Sequence, residues 1–371
     1  MHIAPFAVEQ WMNETETRCR YNLAETCVHS ISLAELQTLS GANADLLAGL
    51  YERPMTYGAI EGSHRLRTAI ADTYADHDAE NVLICHGTIG ANDLVWRALV
   101  GPGDAVVSIV PTYQQHTAIP ESLGAELRPL RLRAQDSYLP DLNALKDLAH
   151  GAKVISLVNP NNPTGAVVPA VTLQDIARIA EAERAYVLCD EVYRGTAQAG
   201  DGMTPSILDI TDHGIATGGL SKAYALAGLR VGWIAGPDEI IAAAMDHRDY
   251  TTISVGQLDD HLAAIAIEAR APLLDRARQI TRSNLSVLRD WVSETPNVDW
   301  IEPTGGTVTL LRIPAAQDSY AFCRALLEDT GVLLTPGAAF EEEGTVRIGF
   351  ANKPEALSAG LKHLAGFIRG A

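Results

Sequence analysis

Val82-Leu83-Ile84-Cys85 runs without a polar break, and the chain then changes period, with Ala91, Leu94, Val95, Ala98 and Leu99 on one helical face. A short apolar run followed by a 3.6-residue period predicts a buried strand and a helix packed over it. Gly87-Thr88-Ile89-Gly90 reads as the turn between them. The alternation recurs. Pro102-Gly103-Asp104 ends the helix, Ala105 to Val110 reads as a second buried strand closed by Pro111, and Val154 to Val158 as a third, closed by Asn159-Pro160-Asn161-Asn162-Pro163. A helix over 172–183 and the apolar run Ala185 to Cys189 follow, ending in Asp190-Glu191. Strands alternating with helices predict a mostly parallel sheet between helices, an α/β fold. In such sheets ligands bind beyond the carboxyl ends of the strands, so the polar clusters at 86–90, 111–113, 159–165 and 190–194 are expected to converge.

Upstream, Phe6, Val8 and Trp11 suggest an amphipathic start, Leu33 to Leu39 a short helix, and Tyr57 to Ser63 a turn into a helix carrying Leu66, Ala69, Ile70 and Tyr74. After about Ala271 the pattern changes. A long helical stretch passes Leu285 and Leu288 to Trp291, and short strand-like pieces follow at Thr307 to Ile313 and Val346 to Phe350. We expect a large domain over 46–271 and a smaller α+β domain built from 1–45 and 272–371.

Composition narrows the function. The 371 residues are 47% hydrophobic and 20% charged, enough to bury a sizeable core. A formal net charge of -18 argues against non-specific nucleic-acid binding, which needs a basic surface. The five cysteines are scattered without a C-x-x-C pair, so neither a disulfide framework nor a zinc site is expected. The start of the chain lacks a basic region followed by an apolar run, and no apolar segment is long enough to span a bilayer. The expectation is a cytoplasmic protein with no membrane, nucleic-acid or metal partner.

The densest candidate chemistry lies in Gly218-Gly219-Leu220-Ser221-Lys222-Ala223-Tyr224-Ala225-Leu226-Ala227-Gly228-Leu229-Arg230. A lysine among small residues is reachable by a planar ligand and suits Schiff-base chemistry. Arg230 offers a fork for phosphate; a solvated loop carrying two surface cations is the plain alternative. Gly87, Thr88 and Ile89 before a helix offer an anion site, or simply a turn. Asp190 at a strand end suits a protonated ring nitrogen, or a cap. Tyr193 and Asn162 suit donation to a ring oxygen, Tyr113 suits stacking, and each is equally a turn or core residue. Arg347, among apolar residues in Thr345-Val346-Arg347-Ile348-Gly349-Phe350, wants a carboxylate.

As a set, Asn159-Pro160-Asn161-Asn162-Pro163-Thr164-Gly165, Asp190-Glu191-Val192-Tyr193, Ser221-Lys222 with Arg230, and Arg347 resemble the class I/II aminotransferases, fold-type-I enzymes that use pyridoxal 5′-phosphate. The resemblance spans Tyr57 to Arg347. It implies an α-amino-acid substrate and gives Lys222 the Schiff base and the Cα proton, Asp190 the pyridinium nitrogen, Asn162 and Tyr193 the ring hydroxyl, and Tyr113 the ring face. It gives Thr88, Ile89, Ser221 and Arg230, next to Gly87, the phosphate, and Arg347 with Asn162 the substrate. Tyr57 matches a tyrosine that reaches the phosphate of the other subunit, which implies a homodimer with shared active sites.

Two departures stand out. Gly219 occupies a position where the family often has a hydroxyl on the phosphate. The stretch Tyr21 to His29 lacks the usual glycine-rich form, and its Val28-His29 is similar to the capreomycidine synthases, ring-forming members of the superfamily. That likeness makes His29 a candidate acid or base for side-chain chemistry. Transamination to a 2-oxo acid is the first reading. Elimination, replacement or ring closure, as in enzymes acting on S-adenosylmethionine, is the second. A ligand-sensing module that kept the fold is a third, which would not need Lys222, Arg230 and Arg347 together.

Overall fold

The computed structural model describes residues 2–41 and 45–370. Its main sheet has seven strands in the order Val82–His86, Val231–Ala235, Gly214–Gly219, Tyr186–Asp190, Ala152–Val158, Ala105–Val110 and Glu126–Arg131. Val231–Ala235 runs antiparallel to both its neighbours, and the other six strands point the same way. The sheet is mostly parallel and lies between helices, as the alternation of strands and helices predicts.

The expected strands form where the apolar runs lie, because a strand covered on both faces reads as continuous Val, Ile and Leu. Two further strands have no such run, and a third, Val231–Ala235, is a buried apolar run interrupted by Gly232. Glu126–Arg131 is an edge strand with alternating charges and mixed exposure. Gly214–Gly219 is half glycine, yet it lies inside the sheet because the indole of Trp233, on the adjoining strand, packs against Gly218 where a Cβ would stand. Val231–Ala235 pairs with it antiparallel.

Helices cover both faces. Leu66, Ile70, Leu173 and Ile176 pack one side of the sheet, with Val107, Ile155 and Val187 beneath them. Leu94, Val95, Ile240 and Ile241 pack the other over Leu83, Val106 and Leu188. A separate apolar cluster joins Trp11 and Leu23 to Leu285, Leu288, Leu311, Phe322, Val346 and Leu364. It lies on a four-stranded antiparallel sheet ordered Thr335–Pro336, Thr345–Gly349, Val308–Arg312 and Asp299–Trp300. Tyr21–Asn22 pairs in parallel with Val332–Leu333 and ties the N-terminal segment to this part. The helix Arg270–Glu294 runs ~37 Å and serves both clusters, Leu273 and Leu274 in the first, Leu285 and Leu288 in the second. The short helix Leu33–Leu39 buries Leu36 in the first cluster.

Among the described residues, no helix is long and apolar enough to cross a membrane.

Candidate active site

The polar clusters meet at the carboxyl edge of the main sheet, in a cavity of about 310 Å³. Thr88, Ile89, Tyr113, Asn162, Asp190, Tyr193, Ser221, Lys222, Arg230 and Arg347 all line it.

One end suits an anion. Strand Val82–His86 passes straight into helix Gly87–Leu99, so the expected turn at 87–90 is already the helix's first turn. The first N–H groups of a helix have no intrahelical partner, and the helix dipole adds positive potential there. The Thr88 hydroxyl is buried beside them without a partner among the described residues. Gly87 lies against Arg230, close enough that a Cβ would stand 2.8 Å from Nη2. Arg230 Nη1 donates to Ala227 O at 3.0 Å.

The floor is Asp190, the last residue of its strand and 4% exposed. One carboxylate oxygen accepts the Val192 N–H at 3.0 Å, the other the Asn92 amide at 2.8 Å. Asn92 is fixed in turn by the Thr217 hydroxyl, which donates to its Oδ1 at 2.6 Å. His116, fully buried, brings Nε2 to 3.7 Å from Asp190 Oδ2. The Tyr193 hydroxyl is buried without a partner among the described residues, and burial raises its pKa.

Lys222 is roofed by the N-terminal segment. Nζ donates to Thr26 Oγ1 at 2.5 Å and to Cys27 Sγ at 3.6 Å, while the Val28 N–H donates to Lys222 O at 3.2 Å. Burial works to lower the lysine's pKa, but Cys27, Tyr193 and Glu25 outweigh it and hold the ammonium above its ordinary value. Burial pushes the Cys27 thiol up to about 11, so Glu25 is the one of the three that carries charge at neutral pH. Burial works to raise the Glu25 carboxyl too, but Lys222 and the N–H groups of Cys27 and Thr26 overcome it and hold it below the usual value.

Arg347 closes the far side from strand Thr345–Gly349, 2% exposed. Nη1 donates to Asn162 Oδ1 at 3.0 Å, and Nη2 to Ala24 O and Thr335 Oγ1, both at 3.1 Å. Nε has no partner among the described residues. Tyr113 donates its hydroxyl to Glu9 at 2.6 Å and packs on Phe6 with ring centroids 4.8 Å apart.

Two candidates lie outside. Tyr57 is 76% exposed and does not line the cavity of its own chain. His29 does not reach it either. The segment leaves the cavity after Cys27: Thr26 and Cys27 meet Lys222, Val28 packs with Ala225, Ala277 and Ala351, and the His29 N–H goes to Ala351 O. The His29 ring is left near Lys353, Arg276 and Glu35, and burial with the two cations lowers its pKa. Asn92, Thr26 and Cys27 escape a reading of the sequence. A polar residue on the apolar face of 91–99 is the signal that marks Asn92; nothing local marks the other two.

Residues 25–364 match the family model for aminotransferase class I and II. The chain is 30% identical to capreomycidine synthase of Streptomyces vinaceus, over 95% of this chain and 91% of that protein. The crystal structure of a PLP-dependent aminotransferase from Streptococcus suis superposes with a TM-score of 0.95 at 40% identity, covering 100% of this chain and 99% of the other. That of the PLP-dependent cyclase OrfR superposes with a TM-score of 0.92 at 29% identity, covering 100% and 98%. A match over 25–364 that takes in the seven-stranded and four-stranded sheets decides the family, and the chain belongs to the class I and II aminotransferases, PLP-dependent transferases of fold type I.

Proposed function

We propose that this chain holds pyridoxal 5′-phosphate through Lys222 and transfers the amino group of an α-amino acid to a 2-oxo acid. One observation carries the reading: an amine, a carboxylate and a guanidinium, Lys222, Asp190 and Arg347, share one cavity. The groups around them fit the cofactor. The helix N-terminus, the orphaned Thr88 hydroxyl, Ser221 and Arg230 suit its phosphate. Asp190, oriented by Asn92 and the Val192 N–H, holds a proton on the ring nitrogen. Arg347 occupies the carbonyl oxygen of Asn162, which leaves the Asn162 amide N–H, with the orphaned Tyr193 hydroxyl, to donate to the ring oxygen. Tyr113 stacks on the ring.

When bound, the cofactor takes up the electron pair left at the substrate's Cα. The Arg347 fork binds the α-carboxylate and so sets which Cα bond faces the lysine. Lys222 Nζ moves the proton at Cα, and Thr26 and Cys27 hold that amine in reach. Borohydride reduction of the holoenzyme followed by peptide mapping tests the assignment. A pyridoxyl group on Lys222, absent from Lys222→Ala, is expected; a label on another lysine overturns it.

Similarity to a capreomycidine synthase and to a cyclase supports a second reading, elimination or ring closure on the substrate side chain. Sustained turnover without a 2-oxo-acid acceptor, with the amino nitrogen retained, favours that reading; a halt after one equivalent favours transamination.

We further propose a cytoplasmic homodimer in which Tyr57 completes the partner's phosphate site. Exposed Tyr51, Met55 and Tyr57, with the 54–56 backbone tied to Gln257, give the apolar surface such an interface requires. The apolar clusters on the two faces of the main sheet, and the separate one on the four-stranded sheet, support a large domain over 46–271 and a smaller one from 1–45 and 272–371, with the Leu33–Leu39 helix packed on the large side.

A further inference from the structure

The charges lining the cavity bear on which amino acid enters it. Three cations are present, Lys222, Arg230 and Arg347. Arg230 stands at the helix end, Lys222 beside the ring, and Arg347 takes the α-carboxylate. Besides Asp190, three carboxylates line the same walls: Glu9 and Glu16 at the N-terminal helix, and Glu25 on the segment over Lys222.

Glu25 follows Ala24, whose carbonyl accepts from Arg347 Nη2, and Glu9 accepts from Tyr113 across the same cavity, so both carboxylates face the space in front of Arg347. Neither is matched. Glu9 accepts from a neutral phenol, Tyr113, and Glu25 accepts the N–H groups of Thr26 and Cys27 at 2.7 and 2.8 Å. Among the described residues, none of the three carboxylates makes an ion pair within 4.0 Å. Arg347, 2% exposed, keeps its Nε without a partner among the described residues, a donor left for the α-carboxylate.

We propose that the substrate is an α-amino acid whose side chain ends in a guanidinium or ammonium, and that Glu9 and Glu25 select it. The proposal rests on the reading of Arg347 as the α-carboxylate site. With that carboxylate in place the Arg347 charge is matched, and the remaining walls are negative. An anionic side chain is repelled there and finds no free cation among the described lining residues. A neutral one strips water from two carboxylates and returns nothing. Only a cation pairs with them, so discrimination comes from attraction and repulsion together.

The test is equilibrium binding to the holoenzyme, followed by cofactor absorbance. L-Arginine is compared with its neutral isostere L-citrulline, L-lysine with L-norleucine, and L-glutamate is included. Each cation should bind at least about tenfold more tightly than its neutral counterpart, with glutamate weakest. The arginine-to-citrulline ratio should fall toward unity in Glu25→Gln and in Glu9→Gln, two variants on separate elements. A wild-type ratio near unity, or glutamate binding best, overturns the proposal and leaves the α-amino-acid reading standing. No response to any amino acid overturns both.

Discussion

The hydroxyl of Thr88 fills the space where a side chain on Gly219 would begin, so the two positions share one volume at the anion end of the cavity. At Gly219, which lacks the hydroxyl that the resemblance leads one to expect, the orphaned hydroxyl of Thr88, from the first turn of the helix Gly87–Leu99, stands in its place. Gly219→Ser should therefore overpack the site at a cost of about 1–3 kcal/mol and weaken pyridoxal phosphate binding about tenfold. Thr88→Ala loses a hydroxyl contact and weakens it as well. The double variant restores one hydroxyl and relieves the closest contact, leaving the Val231 carbonyl at 3.2 Å, and should bind the cofactor better than Gly219→Ser alone. Titration of the apoprotein measures all three; strictly additive losses would mean the positions are independent.

Arg347→Ala removes the fork from the α-carboxylate. kcat/KM should fall about tenfold or more, for the loss of a charged contact of about 1.5–3 kcal/mol. Cofactor absorbance should persist, since Lys222, Asp190 and the phosphate end are untouched and only the Asn162 amide, which Arg347 orients, is loosened. Normal kinetics, or a folded variant that loses its cofactor outright, argues against the role.

Much of this site is legible in the sequence because its residues end apolar runs. Asp190 follows Ala185 to Cys189, and the Asn159 to Pro163 run follows Val154 to Val158, so the edge of the sheet gathers them whatever the loops do. Lys222 is legible from its small neighbours. His29 is not, because the face an extended segment presents depends on which carbonyls its N–H groups meet, here Lys222 O for Val28 and Ala351 O for His29. The strand Gly214–Gly219 is hidden for a related reason: its glycines lower strand propensity, and the indole that packs against Gly218 comes from a strand twelve or more residues on.

Glu191, beside Asp190, supplies a pH signature. It is 3% exposed, and Oε1 accepts from the Ser206 hydroxyl and the Ile207 N–H, both at 2.9 Å, while Oε2 has no partner among the described residues. Burial, opposed by Arg194, pushes its pKa from 4.5 up to about 7. Between those values the folded chain binds more protons at this site than the unfolded chain, so its contribution to stability falls as pH rises through the window and levels off above it. The span corresponds to something on the order of 3 kcal/mol. Glu191→Gln does not titrate, so its Tm relative to wild type should rise by several degrees from pH 5 to pH 8. A constant difference would mean the carboxyl is not raised.

Tyr57 is a large aromatic left 76% exposed, and its own cavity does not use it. In a two-fold dimer each surface meets its own copy, so whatever one chain lends, the other lends back. If Tyr57 completes the partner's phosphate site, Lys222→Ala and Tyr57→Ala damage opposite halves of the arrangement. Lys222→Ala homodimers are inactive and Tyr57→Ala homodimers impaired. In a heterodimer, the Lys222 of the Tyr57→Ala chain sits with the Tyr57 of the Lys222→Ala chain, and one site of the two is whole. Equal mixing makes about half the dimers mixed, so activity should recover to about a quarter of wild type. Heterodimer formation is checked by affinity tags on one chain. If Tyr57 serves its own chain, the intact lysine and intact tyrosine never meet, and mixing restores nothing although heterodimers form.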